Sequence, residues 1–350
     1  MQVKKLPPPL LRKERDSNME LLRIVAMFLV LVVHADFFSL GGPTKGDIEA
    51  DAASAFTRML FQGLSIVCVD VFVLLSGWYG IRPKKVGFLN FVFQCLFFLL
   101  GIYAVCILTG FSAFSRHGVM GCFLLIKWNW FIRAYLLLYL LAPMLNTYID
   151  HATERQHRMM LLLFFLFQTI FSWLTNASVF FEHGYSTISF IGLYLLARYF
   201  SKYPTRFGTL SKKWLLACYL ATALILALMY FGGRVYGISG LCSRLFYYDN
   251  PLVVFSSLSL VLCFSKLKFK SKMVNWLGAS SFAVFLLHTN PNLCKPLFVP
   301  LVKQIYVSAN GIECLACIFV FLVTIFVCAV LIDQVRLMCW RKQSLIQHIT

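Results

Sequence analysis

The chain has 350 residues, of which 60% are hydrophobic and only 13% charged. A soluble globular domain carries about 25% charged residues, and a single soluble core could not bury this much apolar surface, so the composition excludes an ordinary soluble protein. The formal net charge of +18 would favour nucleic-acid binding in a soluble protein. Here the Lys and Arg residues lie in short loops between apolar runs, where such residues orient membrane helices, so we expect a lipid bilayer as the partner and no nucleic acid.

Apolar runs of membrane-spanning length, about 20 residues each, recur along the whole chain. They predict an all-α, polytopic integral membrane protein with about ten transmembrane helices and a single membrane-embedded domain over residues 1–350. The predicted spans are 20–39, 59–79, 86–110, 128–147, 159–176, 186–202, 213–232, 251–267, 275–293 and 311–332. The ninth is the least hydrophobic, and Asn290 and Pro291 predict a break at its end.

The distribution of positive charge along the chain tests the predicted number of membrane spans independently. Of the 32 Lys and Arg residues, 21 fall in alternate segments counted from the N-terminus, eight fall in the other loops and three lie inside spans. Cytoplasmic loops carry an excess of Lys and Arg, so an even number of spans with both termini in the cytoplasm is predicted. Residues 1–19 would then form a cytoplasmic N-terminal segment, and residues 333–350 a cytoplasmic C-terminal tail.

Two ionisable residues share one face of the first span. Such a group inside a span costs about 2.5–3.5 kcal/mol on insertion scales, and Arg23 and His34 are eleven positions apart. At about 100° per residue this is close to three full turns, so both side chains project from one face, about 16 Å apart along the axis. A polar stripe of that depth indicates a helix that lines a cavity. The competing interpretation is that Arg23 reaches the headgroups and His34 bonds a backbone carbonyl.

Asp70 lies near the middle of the second predicted span. A carboxylate in the bilayer must be paired or protonated. One interpretation is that Asp70 orients and charge-balances the His34 imidazole. The other is that it is a structural group bonded to a neighbouring helix, and the sequence leaves both open. Ser76 and Gly77, at the end of that span, favour close helix packing.

Two further residues, Arg133 and His288, lie in other spans at a depth similar to that of His34. The fourth span opens with Trp128 and Trp130, which are typical of an aromatic belt at the membrane surface, and Arg133 follows just below. The ninth span carries His288. Arg133 could also reach outward to water, and a lone His288 could be a hydrogen-bonded core residue, but their common depth with His34 favours a shared site. We expect Trp130, Arg133 and His288 to contact a substrate.

Several of these features together resemble the acyltransferase 3 family of transmembrane acyltransferases. They are the Arg23-x10-His34 spacing, the Val-Asp-Val-Phe-Val-Leu-Leu-Ser-Gly stretch at 69–77, Trp130-Phe131 followed by 139–143, and the segment 282–288. The resemblance covers nearly the whole chain and implies ten spans. It also implies transfer of an acyl group, commonly acetyl, from cytoplasmic acyl-CoA to a hydroxyl of a cell-surface or exported glycan, in the plasma membrane of a bacterium.

The resemblance also implies roles for individual residues. Arg23 and His34 match the family's essential Arg-x10-His motif, and Asp70 joins them here as a catalytic candidate. Arg82, Lys84 and Lys85 correspond to basic residues associated with acyl-CoA, which would be a co-substrate and not a resident cofactor. The partners implied are acyl-CoA and a glycan or lipid-linked sugar. The scattered Cys residues have no metal-ligand spacing, so we expect no metal site.

The chemistry fits these residues independently of the family. Acyl transfer to a hydroxyl needs a base with a pKa near neutral and hydrogen-bond donors for the oxyanion. His34 suits the first role, and Arg133 or His288 the second. Whether His34 activates the acceptor or carries the acyl group covalently stays open.

Other functions remain compatible with the pattern. In a transporter or flippase of a lipid-linked sugar, intramembrane His, Arg and Asp would line a translocation path, although the chain has no paired halves with matching broken helices. A glycan polymerase or ligase would usually carry a larger outer loop than the segments 40–58 and 111–127. A non-enzymatic sensor would leave the aligned Arg23 and His34 unexplained.

Overall fold

The computed structural model describes residues 15–123, 129–177 and 180–346. Within these ranges the chain is helical and contains no strand. In chain order the helices are α1 Ser17–Phe38, α2 Lys45–Ala50, α3 Ala52–Tyr79, α4 Lys85–Leu108, α5 Arg116–Phe123, α6 Trp130–His151, α7 Glu154–Leu174, α8 Thr187–Lys202, α9 Arg206–Thr209, α10 Lys212–Val235, α11 Ser239–Leu245, α12 Pro251–Ser265, α13 Lys272–His288, α14 Val299–Ser308 and α15 Gly311–Ile346.

Seven of the described helices are long and apolar enough to cross a membrane: α1, α3, α4, α6, α7, α10 and α15. They confirm an all-α polytopic membrane protein. The other three predicted spans correspond to α8, α12 and α13, which have 16, 15 and 17 residues. At about 1.5 Å per residue they rise about 23–26 Å, less than a hydrocarbon core of about 30 Å. The total of ten spans therefore stays a prediction.

The short helices lie in the interior of the bundle, where the longer ones surround them. The second half of α3, from Cys68 to Tyr79, packs against α1, α8 and α12, and α1 packs against α13. Gly77 allows a close approach of the α8 backbone: a Cβ added there would lie 2.6 Å from the Tyr194 carbonyl oxygen. The predicted packing role of Gly77 is confirmed. As Asn290 and Pro291 predict, α13 ends early, at His288.

The segments predicted to be cytoplasmic meet at one end of the bundle. The Ser271 amide donates to Ser17 Oγ (2.9 Å), and the Tyr79 hydroxyl donates to Asp16 Oδ2 (3.0 Å). Bonds of the same kind join Asn146 to Ile81, Lys202 to Ile149, and Lys266 to Gly208. An alternating topology requires this grouping, and the side of the membrane that this end faces stays a prediction.

At the same end, α15 does not stop at residue 332. It continues to Ile346, so the segment predicted as a C-terminal tail is helical over most of its length. A buried ion pair anchors this extension, because Arg336 Nη2 lies 2.8 Å from Asp333 Oδ1. Gln94 and Asn90 of α4 complete the network, at 3.0 and 2.9 Å.

Candidate active site

The two histidines predicted from separate spans lie side by side. His34 begins a π-helical turn, His34–Phe38, at the end of α1, and single π-turns occur frequently at functional sites. His288 is the last residue of α13. Its Nε2 lies 3.0 Å from His34 Nδ1, and its Nδ1 lies 2.6 Å from the Val284 carbonyl oxygen. His288 is buried, whereas His34 is partly exposed.

These two hydrogen bonds assign the protons on both rings. A carbonyl oxygen only accepts, so His288 Nδ1 carries the hydrogen. In a neutral His288, Nε2 is then an acceptor, and His34 Nδ1 donates to it. With Nδ1 as the donor, Nε2 is the unprotonated nitrogen of a neutral His34. A neighbour thus holds the ring in one tautomer, as the middle residue of a Ser-His-Asp triad is held.

The same geometry bears on the predicted role of His288. Both of its ring nitrogens have protein partners, one the Val284 carbonyl and one His34, and the side chain is buried. This arrangement places His288 so that it can orient His34, while its predicted contact with substrate stays a prediction.

A second pair of charged side chains secures the π-helical turn, and the sequence analysis assigned it no role. Arg58 of α3 donates from Nε to Asp36 Oδ1 (2.7 Å) and from Nη2 to the Gly41 carbonyl (2.5 Å). Both side chains of the ion pair are only 14% exposed. Asp36 is two residues from His34, so this clamp limits the motion of the turn. A carboxylate at the end of an apolar span was the signal that a nearby cation would be required.

Arg23 lies nearer the other end of α1 and is bound within its own helix. Its Nη1 is 2.9 Å from both carboxylate oxygens of Glu20, and Arg15 also reaches Glu20, at 3.3 Å. Glu20 is buried against Gly278 of α13, where an added Cβ would lie 2.4 Å from its Oε2. The predicted site therefore includes a carboxylate that sequence reasoning missed and that orients the guanidinium.

Asp70 is fully buried, but the structure does not bring it to His34. No hydrogen bond or ion pair joins the two in the described ranges, and neither carboxyl oxygen of Asp70 has a hydrogen-bond partner. The expectation that Asp70 orients His34 is wrong, because His34 Nδ1 bonds His288 and neither Asp70 oxygen has a hydrogen-bond partner in the described residues. Asp70 instead lies near Asp249 and Ser257.

Trp130 belongs to an aromatic cluster next to the histidine pair. Its ring centroid lies 4.5 Å from that of Tyr185 and 6.1 Å from that of Tyr248. Phe131 links the cluster to α13, with its ring 5.4 Å from Phe285. Trp128, predicted to share the aromatic belt, lies outside the described residues.

Arg133 is on the opposite face of α6 from Phe131. Two residues along an α-helix correspond to about 200°, and Arg133 is exposed while Phe131 and Ala134 are buried. Arg133 thus projects from a different face of α6 than Phe131, and its predicted contact with substrate stays a prediction. Reaching outward to the interface is the interpretation that fits.

The predicted acyl-CoA residues Arg82, Lys84 and Lys85 are all exposed, in the loop between α3 and α4. The loop backbone is fixed by the Tyr194 hydroxyl, which accepts from Ile81 N (3.0 Å), and by Asn146, which donates to Ile81 O (2.8 Å). This loop lies at the same end of the bundle as Arg23.

Arg198 adds a further positive charge there. Gly80 adopts φ +74°, and a Cβ added to it would lie 3.4 Å from Arg198 Nη1. The Nε of Arg198 is buried without a hydrogen-bond partner in the described ranges. The sequence placed Arg198 inside a span without a role, and an Arg at the inner end of a short helix was the available signal.

The comparison with known proteins agrees with this arrangement. A family model described as an acyltransferase domain, that of the acyltransferase 3 family, matches residues 16–333. No curated protein and no solved structure matches the chain. The match spans α1 through most of α15 and includes both histidines. The chain therefore belongs to the acyltransferase 3 family, and the protein is a membrane acyltransferase.

Proposed function

We propose that the protein transfers an acetyl group from cytoplasmic acetyl-CoA to a hydroxyl of an exported or cell-surface glycan, in the cell membrane of a bacterium. The observation that carries the proposal is the hydrogen bond between His34 Nδ1 and His288, which leaves Nε2 as the unprotonated nitrogen of a neutral His34. A neutral imidazole positioned in this way is suited to accept a hydroxyl proton.

In the direct route, His34 Nε2 takes the proton of the acceptor hydroxyl as its oxygen attacks the thioester carbonyl. The carbon–sulfur bond then breaks, and the proton passes from His34 to the departing CoA thiolate. In the covalent route, His34 Nε2 itself attacks the carbonyl, and the carbon–sulfur bond breaks to release the thiolate. The acceptor oxygen then attacks the acyl-imidazolium, the bond from the acyl carbon to Nε2 breaks to restore the neutral imidazole, and the hydroxyl proton passes to the released thiolate. The contact with His288 supports both routes, since positive charge develops on His34 in each.

The donor would bind at the end of the bundle that carries Arg23 and the basic loop. CoA is polyanionic, and guanidinium groups bind phosphate by paired, charge-assisted hydrogen bonds. Arg82, Lys84 and Lys85 are exposed there, and Arg198 is adjacent. Tethering at one end would let the thioester extend along α1 toward His34.

The acceptor would bind from the other end, at the aromatic cluster. Trp130 and Tyr185 offer ring faces for the apolar face of a sugar and polar groups for its hydroxyls. Tyr185 is 38% exposed, so the cluster is open to a ligand. The rings of Phe131 and Phe285 connect it with His288.

The test is to supply purified protein in lipid nanodiscs with radiolabelled acetyl-CoA and candidate glycans. We expect label in the glycan with the wild type and none with His34→Ala. Loss of a general base typically lowers the rate by about 10²–10⁴. Undiminished transfer by His34→Ala would contradict the proposal, and glycan movement across the bilayer without acetyl-CoA would favour a flippase.

A matched control is His157→Ala. His157 is also a buried histidine, but its Nε2 bonds the Leu195 carbonyl (3.1 Å), away from the site. Its loss should reduce the yield of folded protein and leave turnover per folded molecule close to the wild-type value. Equal loss of turnover in both variants would show that the assay reports folding only.

A further inference from the structure

A cavity opens at the end of the bundle that is predicted to be cytoplasmic, apart from the histidine pair. Its volume is about 510 Å³, within the range of about 300–1,000 Å³ that small-molecule sites occupy. One wall is residues 15–18, at the start of α1, and the other is the segment 267–270 between α12 and α13. The proposed function so far gives this cavity no role.

Hydrogen bonds between distant parts of the chain hold the two walls together. The Ser271 amide, directly after one wall, donates to Ser17 Oγ of the other (2.9 Å). Asn18 Nδ2 donates to the Phe264 carbonyl oxygen near the end of α12 (3.0 Å). The backbone of both walls is thus fixed by the tertiary structure, and a preformed site avoids part of the cost of ordering on binding.

The side chains that line the cavity carry an excess of positive charge. Arg15, Lys268 and Lys270 are basic, and Asp16 is the acidic residue that lines the cavity with them. Asp16 Oδ2 accepts from the Tyr79 hydroxyl (3.0 Å). The Arg15 side chain is 44% exposed and Lys268 is exposed, so both cations can reach a ligand. Several phosphate groups would be favoured here by charge-assisted hydrogen bonds.

An aromatic ring lines the same cavity. Phe269 lies between the two lysines in the chain and is 39% exposed. A basic groove that also presents an aromatic ring is the arrangement by which proteins bind phosphate and stack a base. A phospholipid headgroup offers the phosphate but no base, so Phe269 favours a nucleotide as the ligand.

The cavity adjoins the groups through which the donor is proposed to bind. Arg15 and Arg23 bind the same carboxylate, that of Glu20, at 3.3 and 2.9 Å. Asp16 bonds Tyr79, which ends α3 directly before the loop to α4. A ligand in the cavity would therefore lie next to that basic loop and to the start of the path along α1.

We propose that this cavity binds the nucleotide of the CoA donor, adenosine with its 3′-phosphate and its 5′-diphosphate. Arg15 and Lys268 contact phosphate, and Phe269 stacks on the adenine. The diphosphate is then directed toward the loop between α3 and α4, and the pantetheine arm passes Arg23 and follows α1. The inference rests on the proposed use of acyl-CoA, and it gives the cavity and the loop different parts of the donor.

Titration calorimetry with parts of the donor tests the assignment in lipid nanodiscs, without any need for acyl transfer. The ligands are CoA, adenosine 3′,5′-bisphosphate, and 4′-phosphopantetheine, which lacks the nucleotide. With the wild type, we expect the bisphosphate to compete with CoA, and 4′-phosphopantetheine to bind more weakly than CoA.

Two exposed side chains can be changed with little risk to the fold. Phe269→Ala should weaken CoA binding by about 5- to 150-fold, the range for loss of one stacked base. Lys268→Gln should weaken it by about tenfold at low salt and less at high salt. Neither change should alter the affinity for 4′-phosphopantetheine, because that ligand does not reach the cavity.

Lys272→Gln is the matched control. Lys272 is exposed and begins α13, two residues after the cavity wall, so its loss should leave the CoA affinity close to the wild-type value. A comparable loss of affinity in this control would overturn the inference in favour of general charge attraction. A loss in only one of Lys268→Gln and Phe269→Ala, or in neither, would also overturn it, since a nucleotide requires both contacts.

The truncated ligand separates this inference from the proposed function. A wild type that binds CoA and 4′-phosphopantetheine with equal affinity would overturn the nucleotide site alone, as would variants that weaken both ligands equally. A wild type that binds no CoA would overturn the proposed donor together with its site.

Discussion

At the scale of single residues, the chemistry of His34 depends on the acceptor that its neighbour presents. His288 Nε2 accepts from His34 Nδ1 because His288 Nδ1 is committed to Val284. This arrangement holds a neutral ring without an ionised carboxylate, which would be costly to bury at this depth. The orientation of the His34 ring thus depends on two neutral groups, the His288 imidazole and, behind it, the Val284 carbonyl.

Substitutions of His288 should separate positioning from packing. His288→Gln keeps a side-chain carbonyl that can accept from His34 Nδ1, and we expect it to retain part of the turnover. His288→Ala should lower turnover by about 10², less than the roughly 10⁴ seen when a triad carboxylate is neutralised. The measurement is turnover per folded molecule at saturating donor. Equal turnover of the Gln and Ala variants would contradict the positioning role.

Gly278 should matter through its close contact with Glu20. A methyl group at Gly278 would lie 2.4 Å from Glu20 Oε2, so Gly278→Ala should displace the carboxylate and release Arg23. We expect its activity to fall to that of Arg23→Ala, and the double variant to be no worse than either. Gly101→Ala, in α4 with open space around it, is the control and should keep full activity. Additive losses in the double variant would show that the two positions act separately.

At the scale of elements, the loop between α3 and α4 combines a fixed backbone with free basic side chains. Tyr194 and Asn146 hold its backbone at Ile81, so charge can be removed from the side chains without loss of the fold. Replacing Arg82, Lys84 and Lys85 with Gln should weaken CoA binding and reduce its dependence on salt. Titration calorimetry with CoA at two salt concentrations measures both effects.

The control for that loop uses an equal number of exposed basic residues at the same end of the bundle, Arg206, Lys212 and Lys213. Their replacement with Gln changes the net charge equally but leaves the loop intact. CoA affinity should then remain close to that of the wild type. A similar loss of affinity in both triple variants would mean that overall charge, and not the loop, attracts CoA, while unchanged affinity in the first would assign the loop to headgroup anchoring.

At the scale of the whole molecule, the distribution of basic loops predicts which end faces the cytoplasm. In a Cys-free background, a membrane-impermeant thiol reagent added outside should label Asp47→Cys and not Lys268→Cys. Both positions are exposed, so access to the reagent depends on the side of the membrane. Opening the cells should make Lys268→Cys reactive. Labelling of Lys268→Cys from outside in intact cells would exclude the ten-span topology.

Membrane embedding and the candidate residues on α1 followed from local pattern. Spanning length and loop charge are properties of consecutive residues, and the eleven-residue spacing of Arg23 and His34 needs only the helical repeat. The short helices α8, α12 and α13 were also found as apolar runs. The ends of two helices differ from the predicted spans. The short helix α13 stops at His288, and the long helix α15 continues past residue 332 to the buried Arg336 and Asp333.

The sequence by itself determined that this protein is a helical membrane protein with polar groups at matched depths. Only the tertiary structure decided which of those groups meet. Depth along a span is set by position in the chain, whereas the direction of a side chain toward another helix depends on how the helices are rotated about their axes, and packing sets that rotation. For this reason His288 pairs with His34, Asp70 has no hydrogen bond to it, and Arg133 is exposed, although all three were predicted near His34.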